Sequence, residues 1–174
     1  MPERVDPLSI NWAELSRTLG IIPESGCACT SEHATVALEL IIGRDQIQSA
    51  VDLCVTGGLG NELAQMVLRQ LRSWPAMQRC YEIYSTTVDV EVMSGCVGLL
   101  RHIGDHRVLQ WVGEFLSSGH ANVQTNAGSL METLTWHGYI HLDKCQAVLD
   151  QMASHTNANV RSSYSTIVKR SAAT

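Results

Sequence analysis

Aromatic and charged residues are both scarce in this sequence. Its 174 residues include one Phe, four Trp and four Tyr, and 17% are Asp, Glu, Lys or Arg; about 25% is usual for a soluble domain. Because 45% of the residues are hydrophobic, the chain is too apolar to be disordered. Aliphatic, Ala, Cys and Met side chains must therefore build the core. A chain of this length is enough for one domain that buries about 70% of its unfolded surface.

Long apolar segments and a secretory signal are also missing. The uncharged apolar runs fall well short of the roughly 18 residues that a membrane span requires. The opening residues, MPERVDP, lack the apolar segment of a signal peptide. We therefore expect a cytoplasmic protein with no membrane partner.

The cysteine pattern favours reduced thiols over disulfide bonds. Six cysteines are an even number, which in a small secreted protein would suggest a disulfide framework. However, Cys54, Cys96 and Cys145 lie on apolar stripes of expected helices, and Cys80 adjoins one. A free cysteine in such a position behaves as a small hydrophobic residue. We expect these side chains to be reduced and to contribute to the core.

Excess positive charge is absent, and the negative charge is unevenly distributed. The net charge is −5; residues 1–58 contain eight acids and three arginines, and the remainder contains nine of each sign. A nucleic-acid-binding protein would need a basic stripe, so we expect no nucleic-acid partner. A basic protein is the expected partner, with Glu32, Glu39 and Asp45 as candidate contacts.

An apolar pattern recurs along the chain. Residues 120–138 place five apolar side chains on one helical face: Val123, Ala127, Leu130, Met131 and Leu134. Equivalent positions of successive copies are separated by 29, 29, 31 and 37 residues: Ala34, Leu63, Val92, Val123 and Val160. Repeated helix pairs of this kind predict an all-α protein in which about nine or ten helices stack as an α-solenoid.

Turn and capping residues divide the chain into these helices. Gly20 and Pro23 end a first helix predicted for residues 9–19. Asp89 is placed to cap the helix that begins beside it, and Gly104 ends that helix. In the last third, one helix is expected to carry Leu142, Cys145, Leu149 and Met152.

The two earliest copies of the pattern predict two further amphipathic helices. Ser31 is the expected N-cap of the first, whose buried stripe would comprise Ala34, Leu38, Ile41 and Ile42. The second would begin at Asn61 and bury Leu63, Val67, Leu71 and Trp74. Both copies are less regular than those that follow them.

The later copies resemble known helical repeats. The turns HANVQ and NANVR, in HANVQTNAGSLMETL and NANVRSS, are similar to those of HEAT or armadillo-type repeats. The Val-Arg pair that these repeats often carry occurs only at residues 160–161. The resemblance covers residues 31–174, with residues 1–30 expected as an N-terminal helix and loop packed on this repeat domain.

The resemblance implies a binding function, because proteins of this superfamily mostly bind other macromolecules. It implies a non-catalytic protein-binding module, and the resemblance of small acidic HEAT-like proteins to this chain favours a bacterial immunity-type protein that inhibits a toxin. A general scaffold adaptor fits equally well. The alternative is a ligand or chromophore carrier or lyase of the HEAT-like type, which would need an apolar groove.

A solenoid would expose a polar ladder on the concave surface formed by its inner helices. The ladder consists of the residues that lie two and nine positions after the first apolar residue of each copy. The first set is Gln65, Ser94, Thr125 and Ser162, and the second is Arg72, Arg101, Glu132 and Lys169. We take five of these as candidate binding residues: Gln65, Arg72, Arg101, Thr125 and Glu132. Trp74, Trp111 and Trp136 are either aromatic anchors for a partner or part of the core.

No motif predicts a metal site, a cofactor or catalysis. Cys27-x-Cys29-x3-His33 has zinc-binding residue types but lacks a fourth ligand, and a loop with two thiols is the simpler interpretation. The pairs His102/His106 and His137/His141 fall at helix boundaries, where histidine is stabilised by the helix dipole. The glycine-rich turn at residues 56–61 lacks the lysine of a phosphate-binding loop, and no Gly-x-Ser-x-Gly elbow occurs.

The acidic residues give a first prediction. Glu32→Lys/Glu39→Lys/Asp45→Lys should slow association with a basic partner at low salt, because surface charges act mainly on the association rate. At 1 M salt, where the Debye length is about 3 Å, the variant and the parent should associate equally fast. Stopped-flow association kinetics at both ionic strengths test this. Equal rates at low salt would mean that these carboxylates form only a solvated surface.

Overall fold

The computed structural model describes residues 11–20 and 30–172, apart from the side chain of Trp12. Within these ranges the chain forms ten α-helices and no β-strand, which confirms the all-α prediction. The helices are α1 (Trp12–Thr18), α2 (Ser31–Ile42), α3 (Arg44–Thr56), α4 (Asn61–Leu71), α5 (Trp74–Thr86), α6 (Val90–Ile103), α7 (Leu109–Leu116), α8 (Ala121–Trp136), α9 (Gln146–Ala153) and α10 (Ala158–Ser171). Short 3-10 turns occupy His106–Val108 and Leu142–Lys144.

The helices after α1 contact one another in a regular order. Consecutive helices pack as the pairs α3–α4, α5–α6, α7–α8 and α9–α10. The helices α2, α4, α6, α8 and α10, which we call the even row, each contact the next member of that row. On the other side α3 contacts α5, and α7 contacts α9. Residues at equivalent positions of neighbouring even-row helices are therefore brought close together.

The core is centred on the apolar stripe of α8. All five side chains predicted to be buried there are fully buried: Val123, Ala127, Leu130, Met131 and Leu134. They pack in one cluster with apolar residues of the helices before and after α8. Burying an aliphatic side chain contributes roughly 1.5–3 kcal/mol, so this stripe is a large source of stability.

The predicted helix boundaries around α6 are confirmed. The Asp89 carboxylate accepts hydrogen bonds from the backbone N–H groups of Glu91, at 2.9 Å, and Val92, at 3.4 Å. Gly104 follows the last residue of α6. A Cβ added there would lie 2.5 Å from the carbonyl oxygen of Leu100, so the packing requires glycine at this position.

The predicted buried stripes of the two early copies are only partly correct: Leu71 is buried as predicted, whereas the other predicted positions are half-buried or exposed. In α4, Leu63 is 70% exposed and Val67 is 44% exposed, whereas Leu68 is buried. In α2 no residue is buried, and Leu38 is 48% exposed. The reason is position: α2 and α4 lie toward one end of the even row, so their apolar surface exceeds what the neighbouring helices cover. The N-cap of α2 is also Thr30 rather than Ser31, since Thr30 Oγ1 accepts from the backbone N–H of His33.

The region after α8 also differs from the single helix expected there. A 3-10 turn at Leu142–Lys144 is separated from α9 by Cys145. Cys145 is buried, and its thiol donates to the carbonyl oxygens of His141 and Leu142. Leu149 and Met152 are buried as expected. The apolar stripe is therefore correct, but the helix that carries its second half begins after Cys145.

Helices α8 and α10 approach each other closely at Gly128. A Cβ at Gly128 would lie 3.1 Å from Ser163 Oγ and 3.4 Å from Val160 Cα. Gly128 is thus the residue that permits this spacing. Ala127, beside it, is fully buried in the core cluster, so space for a larger side chain is lacking at both positions.

A second prediction follows from this packing. Ala127→Leu should lower the free energy of unfolding by roughly 1–3 kcal/mol, because extra methyl groups in a packed core force side chains and backbone to shift. Ala147→Leu is the matched control, since Ala147 is exposed on α9. Urea unfolding followed by circular dichroism measures both. Equal stability of the two variants would contradict the assigned α8 orientation.

Candidate functional site

Two connected cavities lie across the even row. The first, which we call the central groove, has a volume of about 360 Å³ and is lined by Arg69, Arg72, Arg101, His102, Ser129, Glu132, Thr133 and His137. The second, the upper groove, has about 240 Å³ and is lined by Cys54, Asn61, Gln65, Gly95, Gly98, Leu99, Arg101, His102 and Asn126. Arg101 and His102 belong to both linings.

The repeat spacing explains why these residues meet. Arg72, Arg101 and Glu132 occupy the same offset at the carboxyl ends of α4, α6 and α8 or directly after them. Since these helices contact in that order, the three side chains line one cavity. Gln65 lines the adjoining upper groove. Four of the five ladder residues singled out from the sequence are therefore brought together.

Two other ladder residues hold helices together. Thr125 donates to the carbonyl oxygen of Ala121 and accepts hydrogen bonds from the side chains of Asn157 and Asn159 at 3.3 Å. Thr125 thus joins α8 to the start of α10 and does not line either groove. Ser94 of α6 accepts two hydrogen bonds from the Asn126 amide, at 2.9 and 3.0 Å. Both contacts fix the spacing of the even row.

Arg72 is anchored within the protein. It caps α4 in the left-handed conformation, with φ of 45°. Its Nη1 donates to the carbonyl oxygen of Gly104 at 2.9 Å, and its guanidinium carbon lies 4.5 Å from the centre of the Tyr139 ring. Its own carbonyl oxygen accepts from Arg107 Nη2. These contacts hold α4, α6 and the turn after α8 together, a role that the sequence pattern does not reveal.

Arg69 and Arg101 differ from Arg72 in having no such anchor. Among the residues that the structure describes, no carboxylate lies within ion-pair distance of either guanidinium. The polar contact of Arg101 is with the His102 ring, at 3.5 Å. Burial lowers the pKa of His102, and the positive charges of Arg101 and Arg69 lower it further. The imidazole is thus neutral at pH 7, and the charge around it is that of the guanidinium groups.

The predicted acidic contacts lie elsewhere. Glu32 and Glu39 line a third cavity of about 650 Å³ between α2 and the α4–α5 turn, which we call the α2 groove, whereas Asp45 is exposed on α3 outside it. Arg72 lines both the central groove and the α2 groove. Opposite charges therefore meet in the α2 groove.

A hydrogen-bonded ion pair adds to the charges of the α2 groove. Asp105 and Arg107 both line it and pair at 2.6 Å. Burial alone would raise the pKa of Asp105, but the hydrogen bonds and charge of Arg107 bring that pKa below its ordinary value. The pair remains ionised at neutral pH, and it stabilises the turn that follows α6.

The tryptophans divide into two kinds. Trp74 and Trp111 are half-buried and stack with ring centres 5.4 Å apart, and Tyr81 stacks on Trp111 at 4.5 Å. Trp136 is 64% exposed, with the Arg170 guanidinium carbon 3.1 Å from the centre of its ring. Trp136 directly precedes His137, which lines the central groove.

The described thiols are poor nucleophiles and the described residues offer no metal site. Cys54, Cys80, Cys96 and Cys145 are free, and burial raises the pKa of each, to about 12 for Cys96. Within residues 11–20 and 30–172 no group of three or more His, Cys, Asp or Glu side chains could hold a metal ion. Cys27 and Cys29 lie outside these ranges, and His33 Nδ1 accepts from the backbone N–H of Thr30.

Comparison with known proteins adds no family assignment. No protein-family model, no curated protein and no solved structure matches the chain. In the part of the chain that the structure describes, every helix is too short or too polar to span a bilayer. The shape and charge of the grooves are therefore the available guide to function.

A third prediction separates the anchored arginine from the free ones. Arg72→Ala should lower the free energy of unfolding by about 1–3 kcal/mol, because it removes a charged donor from the buried carbonyl group of Gly104. Alanine at position 72 would adopt the left-handed conformation at about the same energetic cost as arginine. This cost therefore contributes little to the difference in stability between the variant and the parent. Arg69→Ala should change stability by no more than about 0.5 kcal/mol. Guanidinium-chloride unfolding of both variants tests this, and similar losses would refute the distinction.

Proposed function

We propose that this protein is a non-catalytic protein-binding module whose recognition surface is the even row of helices. The observation that carries the proposal is the meeting of Arg72, Arg101 and Glu132, from three successive even-row helices, in the central groove. Polar clefts with an exposed aromatic residue beside them suit protein recognition, in which Arg and Trp commonly supply much of the binding energy. Trp136 is that aromatic residue here.

We further propose that the helix pairs form an α-solenoid of HEAT-like repeats. The support is the ordered contact of each even-row helix with the next and the spacing of 29–37 residues between equivalent positions. In such an arrangement, the grooves would lie on the concave surface. A dedicated toxin inhibitor and a scaffold adaptor are two forms that this module can take.

We propose a cytoplasmic, cofactor-free protein that binds neither nucleic acid nor membrane; the net charge of −5 supports the exclusion of nucleic acid. The raised pKa values of the buried thiols favour binding over cysteine-based catalysis. A basic region of the partner would face Glu32 and Glu39 of the α2 groove.

A second candidate, a carrier of an apolar ligand, is favoured by one observation. An apolar cavity of about 290 Å³ lies between α2, α3 and α4. Its lining includes Ile42, Leu63 and Val67. This volume is at the lower limit of about 300 Å³ for small-molecule pockets. Tight binding of a hydrophobic dye that Leu63→Gln abolishes, with no protein partner recovered, would favour this function.

A groove-filling substitution tests the binding module without altering charge. Ser129→Tyr places a ring in the central groove and should weaken the complex with a partner, recovered by cross-linking in cells, at least tenfold. Ser49→Tyr is the matched control on the exposed surface of α3. Isothermal titration calorimetry measures both affinities. Unchanged affinity of the Ser129 variant would show that the partner binds elsewhere.

A further inference from the structure

We infer that the central groove binds an acidic segment of a partner protein, with carboxylates of that segment paired to Arg69 and Arg101. This inference rests on the proposed binding function and names the chemistry of the partner at that surface. The observation behind it is a cleft of about 360 Å³ lined by three arginines and a single acid, Glu132.

Arg69 and Arg101 are the arginines of the central groove whose charge is available to a ligand. Arg72 is held by the Gly104 carbonyl group and the Tyr139 ring. No carboxylate of the described residues pairs with Arg69 or Arg101. Burial is the main cause of the lowered pKa of His102, and the positive charges of Arg101 and Arg69 lower it further. The groove therefore offers uncompensated positive charge from two neighbouring helices, α4 and α6.

Guanidinium groups recognise carboxylates through paired hydrogen bonds. A guanidinium group presents N–H donors in a planar fork that matches both oxygens of a carboxylate. Ser129 lines the same cavity, and its hydroxyl group makes no hydrogen bond to the described residues, so it is a further donor. Glu132, on the α8 side, would repel a carboxylate placed next to it. This arrangement directs carboxylates toward Arg69 and Arg101 and fixes the orientation of the segment.

The small number of basic groups in the central groove favours a protein segment over a nucleic acid. Each phosphate that a nucleic-acid-binding protein neutralises needs a Lys or Arg side chain, whereas the lining of this groove has three arginines and one glutamate. The adjoining upper groove adds about 240 Å³ but no further arginine beyond Arg101. The combined space accommodates a few side chains of an extended segment, and the protein as a whole is acidic. Aspartate and glutamate side chains fit these limits.

A random 12-residue peptide library displayed on phage and selected on the full-length protein tests the inference. Selection in 0.15 M salt, where the Debye length is about 8 Å, limits long-range repulsion by the acidic surface. The selected peptides should be enriched in Asp and Glu relative to the starting library, with two or more in each. The strongest peptide, made synthetically, should bind Arg69→Gln/Arg101→Gln at least tenfold more weakly than the parent.

The matched control is Arg44→Gln/Lys144→Gln, which removes the same charge from exposed positions outside both grooves. Its affinity for the synthetic peptide should stay within twofold of the parent. Thermal unfolding checks that each variant is folded. If the arginine pair proves unstable, Ser129→Glu provides the second variant, because it adds a negative charge to the groove floor, and it should weaken the peptide to a similar extent.

Four outcomes would overturn the inference. The first is no enrichment of acidic residues, and the second is equal loss of affinity in the groove and control variants. The third is tighter binding of a single-stranded oligonucleotide than of the peptide, with the arginine variant losing it. The fourth is peptide binding that Ser129→Tyr blocks but Arg69→Gln/Arg101→Gln leaves unchanged. That last result would retain the binding module and reject its acidic ligand.

Discussion

The structure depends on how the apolar stripe of α8 is buried. That stripe packs in the core cluster, while α8 contacts α6 on one side and α10 on the other. Because protein interiors are densely packed, α8 cannot rotate without exposing the stripe or clashing at Gly128, where α10 approaches closely. The orientation of α8 is thereby fixed, and so are the positions of Ser129 and Glu132 in the central groove. The groove is thus a consequence of core packing.

The same packing explains how one groove contains arginines with different roles. Arg72 connects three parts of the chain through Gly104, Tyr139 and Arg107. This network keeps its guanidinium group at the edge of the groove and uses one of its donors internally. Arg69 and Arg101 lie on helices already held by other contacts, and they need no internal partner to keep the fold. Positive charge is therefore retained at the surface, where it is available to a ligand.

How well the buried residues of a helix can be predicted from the sequence depends on the position of that helix in the even row. The α8 stripe was predicted correctly because neighbours cover it on both sides, so apolar periodicity and burial coincide. Leu63 and Val67 were predicted wrongly because α4 lies toward the end of the row, where periodicity persists without a covering helix. The meeting of Arg72, Arg101 and Glu132 follows from repeat spacing. The anchoring of Arg72 depends on Gly104, 32 residues away, and no local pattern encodes it.

In the proposed binding module, the two charged grooves would place different requirements on one partner. Arg72 lines both, so the acidic side chains of α2 and the free arginines lie on adjoining surfaces. A net charge of −5 repels a free acidic peptide at long range, whereas Arg69 and Arg101 would attract a carboxylate at close range, where screening by salt is weakest. In the proposed binding module, an acidic segment would be favoured most when a basic protein carries it. Long-range attraction would then govern encounter, and the groove would select the segment after contact.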